Sequence, residues 1–155
     1  MENFNIPSVG SVSVAAIALF IAVMQGMIFL YNRKYTWNAW SSLAAFSTVI
    51  YACAVALQYN SSAGYVNIIA EKIQYTAIVM ILHSVAGFSL SFLIINSRLY
   101  HTLFGLFHLA LCILIWGTSF IITHDFVYRR FSLLSSPYIE PAVGPLGKLF
   151  IVYAA

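Results

Sequence analysis

The chain has 155 residues, of which 62% are hydrophobic and only 7% are charged. Soluble domains carry about 25% charged residues, so this composition excludes an ordinary water-soluble protein and indicates that lipid covers most of the surface. The net charge of +3 is typical of a membrane protein's basic loops, so nucleic acid is not an expected partner.

The few charged residues divide the chain into four uncharged stretches. They run from 3 to 32, from 35 to 70, from 73 to 97 and from 99 to 124. Each exceeds the roughly 20 apolar residues that cross a hydrocarbon core of about 30 Å. The predicted fold class is therefore all-α, a polytopic membrane helix bundle. It has four complete transmembrane helices and the start of a fifth in one domain, 1–155.

The first apolar stretch is predicted to be a retained helix. A signal peptide begins with basic residues, whereas the segment before this stretch carries Glu2 and no base. The predicted elements, in chain order, are helices over 11–31, 37–58, 67–95 and 99–122, an outer loop over 123–147 and a partial helix over 147–155.

The ends of these helices carry recognisable signals. Trp37 and Trp40 are interpreted as anchors at the membrane interface, and Glu71 and Lys72 as residues of the membrane edge. The loop 123–147 combines charges, prolines and aromatic residues, so it is expected outside the membrane but packed on the bundle. The last apolar run stops at Ala155, too early to span, which suggests a chain cut inside a helix.

Basic residues of the short loops predict the topology. Arg33 and Lys34 lie between helices 1 and 2, and Arg98 lies between helices 3 and 4, with no acid in either loop. Cytoplasmic loops are enriched in Lys and Arg. The N-terminus is therefore predicted outside and both short loops in the cytoplasm.

Rows of small residues predict where helices meet. Such rows let backbones approach closely in lipid, where no hydrophobic force drives helices together. They are Ala18, Ala22 and Gly26 on helix 1, Ala44, Thr48, Ala52 and Ala56 on helix 2, and Gly87 and Ser91 on helix 3. Phe20 and Ile50 are expected to face lipid.

Histidines are the only reactive side chains predicted inside the spans. His83 lies in helix 3, and His101 and His108 share a face of helix 4 with Cys112. His108 with Cys112 could begin a metal site, or His83 with His108 could ligate a haem; the alternative is a hydrogen bond across the bundle. We favour the hydrogen bond and predict no catalytic, cofactor or metal site; the ligand-binding residues and the roles of the histidines stay open.

Three stretches resemble the N-terminal seven-helix sensor region of bacterial histidine kinases, which also precedes diguanylate cyclases. They are Arg33-Lys-Tyr-Thr-Trp37, then Ala70-Glu-Lys-Ile-Gln-Tyr75 with Phe88-Ser-Leu-Ser-Phe92, and Glu140-Pro-Ala-Val-Gly-Pro-Leu-Gly147 with Phe150-Ile-Val-Tyr153. They occur in the family's order over nearly the whole chain.

The resemblance implies a sensory input module of the bacterial cytoplasmic membrane, not itself an enzyme. Two further helices and a cytoplasmic kinase or cyclase domain would follow. Its expected partners are the lipid bilayer, an unidentified small-molecule or membrane signal, the output domain in cis, and a second copy in a homodimer. The rival interpretation is a complete small membrane protein, either a cofactor-carrying electron-transfer subunit or a transporter component.

Overall fold

The computed structural model describes residues 6–92, 98–129 and 138–154. In chain order the elements are α1 (Ile6–Tyr31), α2 (Thr36–Asn60), α3 (Gly64–Phe92), α4 (Arg98–Gly117), β1 (Ile122–Arg129), β2 (Tyr138–Val143) and α5 (Gly147–Ala154). The first four helices are long and apolar enough to cross a membrane. The predicted polytopic helix bundle is confirmed.

The first three helices begin one to five residues earlier than predicted. Helix α1 starts at Ile6 and includes Pro7, because a proline in the first helical turn gives up an N–H that would have no partner there anyway. Predicted positions that fall outside the described residues are 1–5 with Glu2, the end of helix 3 at 93–95, the link 96–97, the part of the outer loop at 130–137 with Arg130, and Ala155.

Helices α1 and α2 pack through the predicted row of small residues on α1. Ala18 and Ala22 are buried, and the Ser42 hydroxyl donates a hydrogen bond of 2.8 Å to the Ala22 carbonyl oxygen. A Cβ atom added at Gly26 would lie 3.1 Å from Ser42 Oγ. The absence of a side chain at Gly26 therefore allows this close approach.

Helix α2 lies between α1 and α3, so two of its faces are covered. Ala52 is buried as predicted, whereas Thr48 is half-buried with its hydroxyl bonded to its own helix. Ile50 is half-buried and not exposed as expected, because the two neighbours leave α2 a narrow outer face. Phe20 on α1 is exposed, as predicted.

Trp40 is half-buried and packs on α3 and α4, and its role as an interfacial anchor stays a prediction. A Cβ atom at Gly87 of α3 would lie only 2.5 Å from the Trp40 ring. The indole also stacks on the His101 imidazole, with ring centroids 6.1 Å apart and an angle of 1° between the planes. Gly87 therefore does bring α3 close to α2, but the partner is a large ring and not a second row of small residues.

The prediction that helix 4 reaches residue 122 is wrong. Helix α4 ends at Gly117, and the apolar run after it enters the protein core. Ile121 and Ile122 are 2% exposed and pack with Tyr75 and Phe150. These isoleucines were predicted to be the end of a membrane span, because their sequence pattern fits both cases. In the structure they are buried by protein contacts and not by lipid.

The predicted loop 123–147 contains an antiparallel strand pair. β1 and β2 pair from Phe126 opposite Pro141 to Arg129 opposite Tyr138, with an irregularity between Ile122 and Phe126. Alternating and β-branched residues favour strands here. The prolines of this segment argued against a strand, because proline cannot donate a ladder hydrogen bond. We call this pair, residues 122–129 and 138–143, the hairpin.

The hairpin is fastened to the beginning of α3. Asn67 is fully buried, and its side-chain amide donates a hydrogen bond of 2.8 Å to the Ile139 carbonyl oxygen of β2. The Phe126 ring of β1 covers Gly64, where a Cβ atom would lie 2.7 Å from the ring. Both strands are thus held at the end of the bundle where α3 begins.

Helix α5 follows the hairpin through a tight connection. The Gly144 N–H donates to the Ile121 carbonyl oxygen at 2.7 Å, and the Leu146 N–H donates to the Phe120 carbonyl oxygen at 2.9 Å. A Cβ atom at Gly144 would collide with the Phe120 carbonyl. Glycine is therefore required where the chain turns from β2 into α5.

Candidate functional site

The structure brings two of the three predicted histidines together. His83 Nδ1 of α3 lies 3.3 Å from His108 Nδ1 of α4, and His108 is 5% exposed. His101 is not part of this pair, because its ring stacks on Trp40. The predicted hydrogen bond across the bundle therefore joins α3 to α4 through His83 and His108.

A third helix joins this pair through Tyr153 of α5. The Tyr153 hydroxyl lies 2.9 Å from His108 Nε2, and His108 Nδ1 lies 2.8 Å from the Phe104 carbonyl oxygen. A carbonyl can only accept, so we assign the ring proton of His108 to Nδ1. Nε2 then accepts from Tyr153, and His83 Nδ1 can accept the shared Nδ1 proton.

The two histidines and Cys112 line a small pocket of about 230 Å³ with apolar walls between α2, α3 and α4. Within the described parts of the chain, no three histidine, cysteine or carboxylate side chains are placed to hold a metal ion together. A structural zinc ion takes four protein ligands and a catalytic one three.

The cysteines differ from one another in exposure. Both are interpreted from sequence as small buried residues, but Cys53 is exposed on α2, while Cys112 is half-buried. Both are free thiols. Neither therefore forms a disulfide that would tie two helices together.

A second polar cluster lies about one helical turn beyond the hydrogen bond from Asn67 to Ile139, which we call the Asn67 clamp. This cluster was not predicted from the sequence. Glu71 and Gln58 are each 6% exposed. Gln58 Nε2 donates a hydrogen bond of 3.2 Å to Glu71 Oε2, and Gln74 Nε2 donates one of 2.6 Å to Gln58 Oε1. The chain of amides holds the Glu71 carboxylate in one orientation inside the bundle.

Lys72, the neighbour of Glu71, faces another direction. Its ammonium group donates a hydrogen bond of 3.3 Å to the Trp116 carbonyl oxygen and lies 6.0 Å from the centre of the Trp116 ring. Consecutive residues of a helix point about 100° apart, which separates the two charges. Glu71 and Lys72 therefore lie on two different faces of α3 and contact different neighbours.

The Glu71 carboxylate borders an open cleft of about 380 Å³. Its walls come from α2, α3 and α5, and they combine the carboxylate and an amide with aromatic and aliphatic side chains. We call it the Glu71 cleft, and its lining residues are Tyr51, Glu71, Gln74, Tyr75, Ile78, Phe150, Ile151 and Ala154.

Comparison of the chain with protein-family models, curated proteins and solved structures found no match.

The two clusters allow different chemistry. The histidine pair joins three helices by neutral hydrogen bonds in apolar surroundings. The Glu71 cleft offers a carboxylate, an amide group and aromatic side chains in a space open to a ligand. A pocket with apolar walls and a few convergent polar groups is the usual form of a small-molecule site, so of the two clusters the Glu71 cleft is the better candidate for a binding site.

A buried carboxylate at this position could have been suspected from the sequence. Gln58, Glu71 and Gln74 are polar residues within or beside apolar helical segments, and ionisable residues in such segments are commonly functional. The position of Glu71 near the start of its helix predicts its depth at the membrane edge but not the direction in which its side chain points. Only the packing of α2 against α3 shows that the carboxylate points into the bundle.

Proposed function

We propose that the chain is the membrane-embedded sensory input module of a bacterial signal-transduction protein, of the kind that precedes histidine kinases. The observation that carries this proposal is the connection of the hairpin, the Glu71 cleft and α5. The hairpin is clamped to α3 by Asn67 and leads directly into α5, which forms one wall of the cleft.

This arrangement supports sensing because one helix, α5, contacts both α3 and α4. Phe150 of α5 packs on Tyr75 of α3, with ring centroids 4.9 Å apart, and lines the cleft. Tyr153, one turn further on, bonds to His108 of α4. A ligand that favours one packing of α5 over another would therefore shift the equilibrium between two arrangements of the bundle.

The proposed orientation places the hairpin outside a bacterial cytoplasmic membrane. Arg33 and Lys34 lie in the connection from α1 to α2, at the end of the bundle opposite the hairpin, and α4 begins at Arg98 at that same end. The positive-inside tendency supports a cytoplasmic location for this basic end. Signals would then reach the hairpin end from outside, and an output domain would act on the basic side.

The reading frame that encodes the chain provides the test. We expect the codons after Ala155 to encode further helices and a cytoplasmic domain with a phosphorylated histidine and an ATP-binding site. The purified full-length protein should then incorporate the γ-phosphate of ATP, or synthesise a cyclic dinucleotide if the output domain is a cyclase. A stop codon directly after Ala155 would contradict the proposal and favour a complete small membrane protein.

A further inference from the structure

The Glu71 cleft combines a carboxylate with aromatic walls. Tyr51 of α2, Tyr75 of α3 and Phe150 of α5 line the same space as Glu71. The faces of aromatic rings carry negative potential and attract cations, most strongly where water is excluded. A carboxylate and three aromatic side chains around one cleft therefore favour the same kind of ligand.

We propose that the Glu71 cleft binds a small organic cation, an amine or quaternary ammonium group carried on an apolar body. The positive head group would lie against the Glu71 carboxylate, and the apolar body would lie along Ile78, Phe150 and Ile151. This inference deepens the proposed sensory function and rests on it for its biological role, because it names the class of signal.

The carboxylate is prepared for such a ligand. Gln58 donates to Glu71 Oε2, and Gln74 in turn holds Gln58, so the acid is kept in one orientation before a ligand arrives. A group fixed in advance loses less conformational entropy on binding. The amide oxygen of Gln74 is a further acceptor for an N–H of the ligand, since its amino group is used by Gln58.

The size and charge of the cleft set the limits of the ligand. Its volume of about 380 Å³ is near the lower end of the range of roughly 300–1,000 Å³ typical of small-molecule sites. Among the described residues that line it, the ionisable acid is Glu71 and none is Lys or Arg. An anionic ligand would meet repulsion from the carboxylate, and a neutral one would gain only the apolar contacts.

Binding would act on α5. Phe150, Ile151 and Ala154 supply one wall of the cleft, and α2 and α3 supply the other. A cation that touches both walls favours the position that α5 has in this structure over any arrangement in which α5 has moved away from α2 and α3. This differential contact is what a ligand needs in order to shift an equilibrium.

Two probes that differ in charge test the proposal on the purified 155-residue chain in detergent. Phenethylammonium has the cationic head group, and 2-phenylethanol has the same ring and chain with a neutral hydroxyl. We expect saturable binding of phenethylammonium by calorimetry, about tenfold or more tighter than that of 2-phenylethanol, since hydrogen bonds to charged groups are the stronger ones. Saturating phenethylammonium should also raise Tm.

Variants locate the site. Glu71→Gln keeps the shape of the side chain and should weaken phenethylammonium about tenfold or more, whereas Asp125→Asn, an exposed acid of the hairpin, should leave the affinity within about twofold. If Glu71→Gln does not fold, Tyr51→Leu removes one aromatic wall and should weaken binding about threefold or more. Equal affinity for the two probes, no saturable binding, or unchanged binding by these variants would overturn the inference.

The outcomes separate this inference from the sensory function. If a full-length protein with an output domain phosphorylates itself but its input region binds neither probe, the ligand class is wrong and the sensory function stands. If Glu71-dependent binding is found in a chain that ends without an output domain, the cation site stands and the sensory function fails.

Discussion

Trp40 and Gly87 illustrate how single residues set the distance between helices in this bundle. The indole ring lies directly on the backbone of α3, where a Cβ atom would be 2.5 Å from it. On the other side of α2, Ser42 reaches the Ala22 carbonyl because Gly26 has no side chain in the way. Dispersion and a few hydrogen bonds replace the hydrophobic effect as the source of helix association in lipid.

Filling these contacts should destabilise the bundle. We expect Gly26→Leu and Ala52→Leu each to lower the free energy of unfolding by about 1–3 kcal/mol, because a Cβ atom at Gly26 would already lie 3.1 Å from Ser42 Oγ and the Ala52 side chain is 3% exposed. Thermal unfolding in detergent measures the effect. Phe20→Leu is the control, since Phe20 is 67% exposed and should be nearly silent. The opposite order of effects would mean that the helices meet on other faces.

The bond between Tyr153 and His108 should contribute measurably to the packing of α5. We expect Tyr153→Phe to cost about 0.6–2 kcal/mol, the range for a hydrogen bond between transmembrane helices. A double-mutant cycle with His108→Phe should return a coupling of the same sign. Tyr65→Phe, at a site that is 70% exposed, is the control. A coupling of zero would place Tyr153 away from His108 in solution.

The histidine pair is predicted to bind neither metal nor haem tightly. His83 and His108 supply two nitrogen ligands in direct contact with each other, and the described residues provide no group of three ligands. Elemental analysis of the purified protein should find no stoichiometric transition metal, and its absorbance spectrum should lack a Soret band. Either signal would revive the electron-transfer interpretation.

The hairpin and α5 are connected to each other, and the hairpin packs on the beginning of α3. Asn67 holds β2, Gly64 accommodates Phe126 of β1, and backbone hydrogen bonds from Gly144 and Leu146 tie the following turn to the segment before β1. A two-stranded hairpin is marginal in water by itself. Its docking on the helices therefore determines whether it stays folded, and α5 follows the hairpin's position.

Removing the Asn67 clamp should release the hairpin selectively. In Asn67→Leu the Ile139 carbonyl loses its donor, which costs about 1–3 kcal/mol at a buried site. Amide hydrogen exchange should become faster in β1 and β2 while α1 and α2 keep their protection. Ser89→Ala, an exposed hydroxyl bonded to its own helix, should change neither. Unchanged exchange in the hairpin of Asn67→Leu would show that other contacts hold it.

The two ends of the whole molecule differ in chemistry. The hairpin, the Asn67 clamp and the bond from Asn60 to Ser8 of α1 lie at one end. The other end carries Arg33 and Lys34 in a short connection between α1 and α2. This asymmetry is what a protein needs if it is to receive a signal on one side of a membrane and respond on the other.

Cysteine labelling should reveal the orientation. In a chain with Cys53→Ala and Cys112→Ala, a single Lys34→Cys is expected to resist an impermeant maleimide added to intact cells, because basic loops stay in the cytoplasm. Tyr128→Cys, at a residue that is 74% exposed on the hairpin, should react readily. Both should react after permeabilisation. The reverse pattern would invert the topology.

The helix number, the close contacts of α1 and the basic connection could be predicted from the sequence. They depend on properties that are local along the chain: the length of uncharged apolar runs, small residues four apart, and bases between spans. A bilayer imposes these patterns strongly, because unsatisfied backbone groups and charges are costly in hydrocarbon. The end of α4 departs from these patterns, because the apolar run that follows Gly117 packs in the protein core and does not extend the helix.

Only the tertiary structure decided which polar side chains meet. Gln58 and Glu71 are thirteen residues apart, and His108 and Tyr153 are forty-five apart, so nothing local in the sequence pairs them. The hairpin likewise depends on Asn67, which lies on another element. Apolar helices specify that they enter the membrane, whereas the rotation of each helix about its axis follows from packing between them. The rotation of α3 therefore decides that the Glu71 carboxylate lines the cleft between α2, α3 and α5.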